Sequence, residues 1–195
     1  MFKQIDRIKF PKYSNARVNM MPFVFGDNES VPEFLRPYLP IINMCELETG
    51  SVSYLTIDES FVMKDSTQRR GGVHVEAPKL NAWGGGSWGG ISKGIYMASN
   101  DGLTNIYNEI QEERNTHGGC IPITHPEKML KDTLYWMTDK TPHEALPSEH
   151  DHYRQFIRIV SEDISVWYTK HNTPNPLGVM PTCPITETNK FGDHK

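Results

Sequence analysis

The sequence predicts an all-β chain, an antiparallel sandwich or barrel of about seven or eight short strands. Three observations predict it. Segments of five to nine residues alternate β-branched or aromatic side chains with polar ones. Glycine and proline punctuate the intervals between them, with 15 and 14 copies in 195 residues. Helical periodicity is almost absent, and no internal repeat or domain linker interrupts the pattern.

The elements follow in chain order. Residues 1–44 are dense in proline and aromatics, with Pro11, Pro22, Pro32, Pro37 and Pro40 beside Phe10, Phe23, Phe25 and Phe34. Proline at that density prevents long helices. The segment therefore reads as an extended arm with one short helical turn near Val31–Leu35. The core, 46–168, opens with a strand over Gly50–Asp58. There, Val52, Tyr54 and Thr56 share one face, and Leu55 and Ile57 the other. A second, short strand is expected over Val73–Glu76 and ends at Pro78.

The run WGGGSWGG over 83–90 has no composition from which a core can form and is expected as a loop, with Trp83 and Trp88 as candidate lid residues. Gly94–Ser99 reads as a strand, Thr104–Ile110 as strand or helix, and 111–127 as a polar loop. TLYWMT over Thr133–Thr138 is a strand that turns through Asp139–Pro142 into His143. Tyr153–Val160 and Ile164–Tyr168 are expected to close the domain. The tail, 169–195, is expected to lie over the surface.

Bulk composition excludes several classes. A net charge of −4 without a basic stripe argues against a nucleic-acid partner. No run of 18 apolar residues exists, so no membrane-spanning helix is expected. The first residues lack the apolar segment of a signal peptide. Three widely spaced cysteines, Cys45, Cys120 and Cys183, do not make a disulfide framework or a zinc knuckle. A reducing, cytoplasmic setting follows from these two readings.

One constellation carries chemistry. His74-x-Glu76 places an imidazole and a carboxylate on the same strand face, because side chains two residues apart in a strand point the same way. His143, at a distant strand end, would complete two histidines and one carboxylate. Such a set occupies one face of an octahedral metal and leaves three positions open, the arrangement of non-haem Fe(II) oxygenases. Arg154 and Arg158 share strand parity with Phe156. Two guanidiniums on an inward face need either solvent or an anionic ligand. Arg154 is expected on a strand pairing with that of His143. Arg69 could support a substrate anion, although with Arg70 it reads more simply as a charged strand edge. His125 is the chief rival as third ligand, and His150-x-His152 offers an alternative metal pair.

The ordered set of H-x-E, then a distal histidine after YWMTDKTP, then an arginine about ten residues on, resembles the 2-oxoglutarate and Fe(II)-dependent dioxygenase superfamily. The segment HYRQFIRIVSEDISVWY is similar to the closing strands of its prolyl-hydroxylase-like members. The resemblance spans residues 50–168. It implies a double-stranded β-helix, the jelly roll shared with cupins. It implies Fe(II) held by His74, Glu76 and His143, and 2-oxoglutarate bound by Arg154, with Arg158 as a second contact. It further implies consumption of O2 and hydroxylation of a C–H bond in a small molecule or peptide. Glutamate stands where aspartate is usual in the family. The long N-terminal segment is compatible with a homodimer. Two rival functions share part of this pattern. One is a cupin-like metalloprotein that does not use 2-oxoglutarate. The other is a non-enzymatic β-sandwich interaction module.

Overall fold

The computed structural model describes residues 1–76, 94–113 and 118–188, with side chains omitted over 110–113. Trp83 and Trp88, with the expected 83–90 loop, lie outside the described residues. The chain is predominantly antiparallel β, with one four-residue α-helix among the described residues. Among the described residues the strands are, in order, β1 (Phe2–Arg7), β2 (Arg17–Val24), β3 (Val52–Val62), β4 (Ile95–Ser99), β5 (Thr104–Ile106), β6 (Ile110–Glu113), β7 (Cys120–Pro122), β8 (Glu127–Lys128), β9 (Thr133–Met137), β10 (His143–Ala145), β11 (His152–Val160), β12 (Trp167–Tyr168) and β13 (Ile185–Thr186). β1, β9, β4, β11, β3 and β2 form a six-stranded sheet in that spatial order. β10, β5 and β8 form a second sheet, and β6–β7 and β12–β13 are separate pairs.

Period-2 alternation divides the large sheet into two buried faces. On one, Leu55, Ile57, Tyr96, Ala98, Leu134, Trp136, Ile157 and Ile159 pack in a single cluster with Leu35, Tyr38, Ile41 and Ile42. These last four come from a 3-10 turn over Glu33–Tyr38 and from α1 (Leu39–Ile42). On the other face, Tyr54, Ile95, Met97, Tyr135, Met137 and Phe156 pack with Ile106 of β5 and with Met129 just past β8. The large sheet is therefore covered by the N-terminal turns on one side and by the smaller sheet on the other. This explains why all five positions of β9 are buried.

The alternation expected for the first core strand is present in β3, and β4, β9 and β11 fall where the pattern places them. Other expectations need correction. The N-terminal 44 residues are extended, but not a detached arm: β1 and β2 form the two edges of the large sheet. The bulge between Val18 and Met21 suits an edge position. At that bulge Met20 has φ of 48°, and its carbonyl accepts the Trp167 indole N–H at 2.8 Å.

The expected strand over Val73–Glu76 is reduced to a β-bridge at His74. The expected 111–127 loop contains most of the β6–β7 pair and leads into β8. Of the ambiguous Thr104–Ile110 span, Thr104–Ile106 forms β5 while Ile110 opens β6, with 107–109 outside both strands. The expected strand over Ile164–Tyr168 shortens to β12, because its partner is β13 of the tail, paired in parallel over only two residues. The tail is more than a surface cover. Asn175 is buried and donates to the carbonyls of Pro22 and Ser30 at 2.8 and 2.9 Å. No helix among the described residues is long and apolar enough to cross a membrane.

Gly94, at the start of β4, permits a close approach to β9. A Cβ there would overlap the Met137 carbonyl oxygen and lie 2.5 Å from Nε1 of Trp136. Gly94→Ala is expected to cost about 2–4 kcal/mol, since neither backbone nor a packed indole can yield cheaply. Gly71→Ala, whose new carbon meets nothing nearer than 3.8 Å, should cost less than about 1 kcal/mol. Urea denaturation of the two variants checks the contrast.

Candidate metal centre

The centre begins with a backbone pairing. His74 N–H donates to the His143 carbonyl at 3.0 Å, and His143 N–H donates to that of His74 at 2.9 Å. Residues that exchange both bonds are directly opposed in an antiparallel ladder, with side chains on the same face. The two imidazoles therefore lie together, ring centroids 4.6 Å apart. Glu76 lies two residues along, and its N–H donates to the Asp139 carbonyl at 3.1 Å. On the other side, Cys120 N–H donates to Val73 O, and Val75 N–H to Gly118 O. The 73–76 segment is thus held on both flanks without forming a regular strand.

His74, Glu76 and His143 each offer a ligand atom, and these atoms all lie within 4.8 Å of one another. His143 Nε2 is 3.6 Å from Glu76 Oε1. Both imidazoles are oriented by carbonyls: His74 Nδ1 lies 2.8 Å from Gly72 O, and His143 Nδ1 lies 3.0 Å from Thr141 O. A carbonyl only accepts, so the proton belongs on Nδ1 and the lone pair on Nε2. Burial, and then the neighbouring His143, push the His74 pKa down to about 3. The ring is therefore neutral, the form a metal needs. Burial raises the Glu76 pKa, but Arg158, followed by the two histidines, outweighs it and holds the carboxyl well below its ordinary range. The neutral His74 ring, the His143 ring and an ionised carboxylate make a donor set that fits a divalent cation.

No other group of three such side chains close enough to share an ion occurs among the described residues. His125 is exposed. His150 and His152 do stack, with centroids 5.1 Å apart, but His152 Nε2 meets Asp101 Oδ2 at 3.0 Å. The pair lacks a third ligand.

The arginines stand differently from expectation. β11 does not pair with β10, since it lies between β3 and β4 in the large sheet. Arg154, Phe156 and Arg158 do share its inward face. Arg158 Nη1 lies 2.7 Å from Glu76 Oε1, so its guanidinium meets the candidate ligand itself. Arg154 is 1% exposed, and its Nε lies 2.8 Å from Asp101 Oδ2. Burial raises the Asp101 pKa, but Arg154 and the His152 hydrogen bond lower it more, so the carboxyl stays ionised. Arg154 Nη2 is buried and has no hydrogen-bond partner among the described residues.

No family model matches the chain, and no curated protein or solved structure matches it.

Arg69 completes the surroundings. Its guanidinium lies 5.0 Å from the Phe156 ring centroid, and that of Arg154 lies 6.0 Å from the same centroid. Arg69 Nη1 is 3.5 Å from Asp58 Oδ2, with 30% of the side chain exposed. Burial and then Arg158 lower its pKa, which places it electrostatically beside Arg158. Sequence reasoning missed Asp101 and Asp58 as partners of the two arginines. Ser99-Asn100-Asp101-Gly102 is legible as a turn, but nothing in it names Arg154 as a partner.

Proposed function

We propose that this chain is a non-haem Fe(II) oxygenase using 2-oxoglutarate and O2 to oxidise a C–H bond, built on a double-stranded β-helix. The observation that carries the proposal is the burial of two imidazoles and a carboxylate within 4.8 Å, from opposed positions of one ladder. The strand orders support the fold: β3, β11, β4 and β9 adjoin in the large sheet, while the His74 bridge, β10, β5 and β8 adjoin in the small one. Apart from the step from β5 to β8, successive segments from β3 to β11 alternate between these two sheets, as in a jelly roll.

In this reading His74, Glu76 and His143 hold the metal and leave three positions for ligands. Ferrous iron bound there would supply O2 activation, with 2-oxoglutarate oxidised to succinate and CO2 as one oxygen atom enters the substrate. Gly72 O and Thr141 O keep the two imidazoles facing the centre. The orphaned Arg154 Nη2 suits a ligand carboxylate, since a buried guanidinium N–H left unmet is costly. Asp101 holds that guanidinium in place. Arg69, the more accessible cation, faces a substrate or cosubstrate anion across Phe156.

A second reading is favoured by one observation. Arg154 already has a carboxylate partner in Asp101, as expected of a cupin-like metalloprotein without 2-oxoglutarate dependence. Anaerobic titration with Fe(II) and 2-oxoglutarate separates the two. A weak visible metal-to-ligand band is expected, absent in His74→Ala; admitting O2 afterwards is expected to release succinate, which Arg154→Ala reduces. Metal binding without the band supports the cupin-like reading. A folded protein that binds no Fe(II) excludes both.

A further inference from the structure

We propose that Arg158 is a positioning residue, which fixes the Glu76 carboxylate for metal binding. The inference rests on the metal reading of the His74, Glu76 and His143 cluster and extends it to a residue on the opposite sheet.

Each histidine of the cluster has its side chain fixed by a backbone carbonyl. Glu76 has only its backbone fixed in this way, through its N–H to Asp139. A glutamate has one more rotatable bond than an aspartate and so must surrender more rotamer freedom to hold its carboxylate at one place. Arg158 answers that need. Its Nη1 sits 2.7 Å from Glu76 Oε1, and the two side chains are 4% and 9% exposed. A charge-assisted bond of that length, in so buried a place, fixes both distance and direction.

The pair also solves a solvation problem. A buried carboxylate without a counter-charge would destabilise the fold. Arg158 supplies that counter-charge at 2.7 Å and orients the carboxylate before any cation arrives. The guanidinium reaches it from β11, whereas Glu76 follows the bridge to β10. The contact therefore locks the large sheet to the small one at the centre itself.

Loss of an outer partner of a metal ligand typically costs about 10–100-fold in affinity. Co(II) titration, followed by its visible absorption, reads this directly on the intact chain. Arg158→Gln is expected to weaken Co(II) binding about 10–100-fold. Arg158→Lys, which keeps the charge but loses the planar fork, should retain the larger part of the affinity. A double-mutant cycle distinguishes positioning from general support of the fold. In a Glu76→Ala background, Arg158→Gln should add no further loss.

Unchanged affinity in folded Arg158→Gln overturns the inference and leaves the metal reading intact. An equal loss in both backgrounds also overturns it, because Arg158 would then act on the fold rather than through Glu76. If Arg158→Gln fails to fold, the cycle is run with Arg158→Met, which keeps the length and loses the charge, and the same two outcomes decide. Failure of the wild-type chain to bind Co(II) removes the metal reading itself.

Discussion

Replacing His143 with alanine is expected to lower Fe(II) or Co(II) affinity by more than about 100-fold, beyond the usual cost of losing an outer-sphere partner. The reason lies in the ligand count. Three protein donors make the site, and two cannot define one face of an octahedral ion. The fold should survive the change. The two hydrogen bonds joining His143 to His74 are backbone bonds and do not need the imidazole. Metal titration by calorimetry and thermal unfolding on the same sample separate the two effects. His125→Ala and His150→Ala are controls, since neither residue belongs to the cluster. Retention of tight binding by His143→Ala would disprove its role as a ligand.

The second large effect lies away from the centre, on the opposite face of β3. Glu59 is wholly buried. Its Oε2 accepts from Ser14 N–H, Ser14 Oγ and Ala16 N–H at 2.6, 3.0 and 2.9 Å. Its Oε1 accepts from Tyr38 Oη at 2.6 Å and from Gln155 Nε2 at 2.9 Å. Burial alone would raise the Glu59 pKa, but these donors lower it further, Tyr38 most, and the net direction is down. The network ties the segment before β2 and the Glu33–Tyr38 turn to the centre of the large sheet. Glu59→Gln keeps the shape but turns an NH2 group towards donors. We expect a loss of about 2–5 kcal/mol, since the buried donors left facing the NH2 group cost about 1–3 kcal/mol each.

The pH dependence has a definite sign. The folded-state pKa of Glu59 lies below that of the unfolded chain, so the stabilisation is fully present above about pH 4.3. It is lost as pH falls from there through the folded pKa, because the unfolded state then binds the proton more readily. Urea denaturation across this range should show the decline in the wild-type chain and a shallower one in Glu59→Gln. Equal stability of the two proteins at pH 7 would show that the donors find other partners.

Much of the large sheet was legible because short β-branched and aromatic runs between turn residues mark strands, and strands buried on both faces read as near-continuous apolar runs. Thr133–Met137, buried at every position, is such a run. The shared parity of Arg154, Phe156 and Arg158 was readable from the two-residue period of a strand. The edge strands were not legible. Phe2–Arg7 and Arg17–Val24 owe their pairing to distant partners in β9 and β3, and Pro22 masks the pattern of the second. The β6–β7 hairpin was missed because its polar residues follow no apolar alternation.

At the centre, local sequence sufficed to name the side chains that could bind a metal, because residue chemistry and the two-residue spacing of His74 and Glu76 are local properties. The folded arrangement was needed to show that His143 opposes His74 across a ladder, that Arg158 meets Glu76 and that Arg154 meets Asp101. Those contacts join positions from 53 to 82 residues apart in the chain. They are set by strand order and register, which no local pattern encodes.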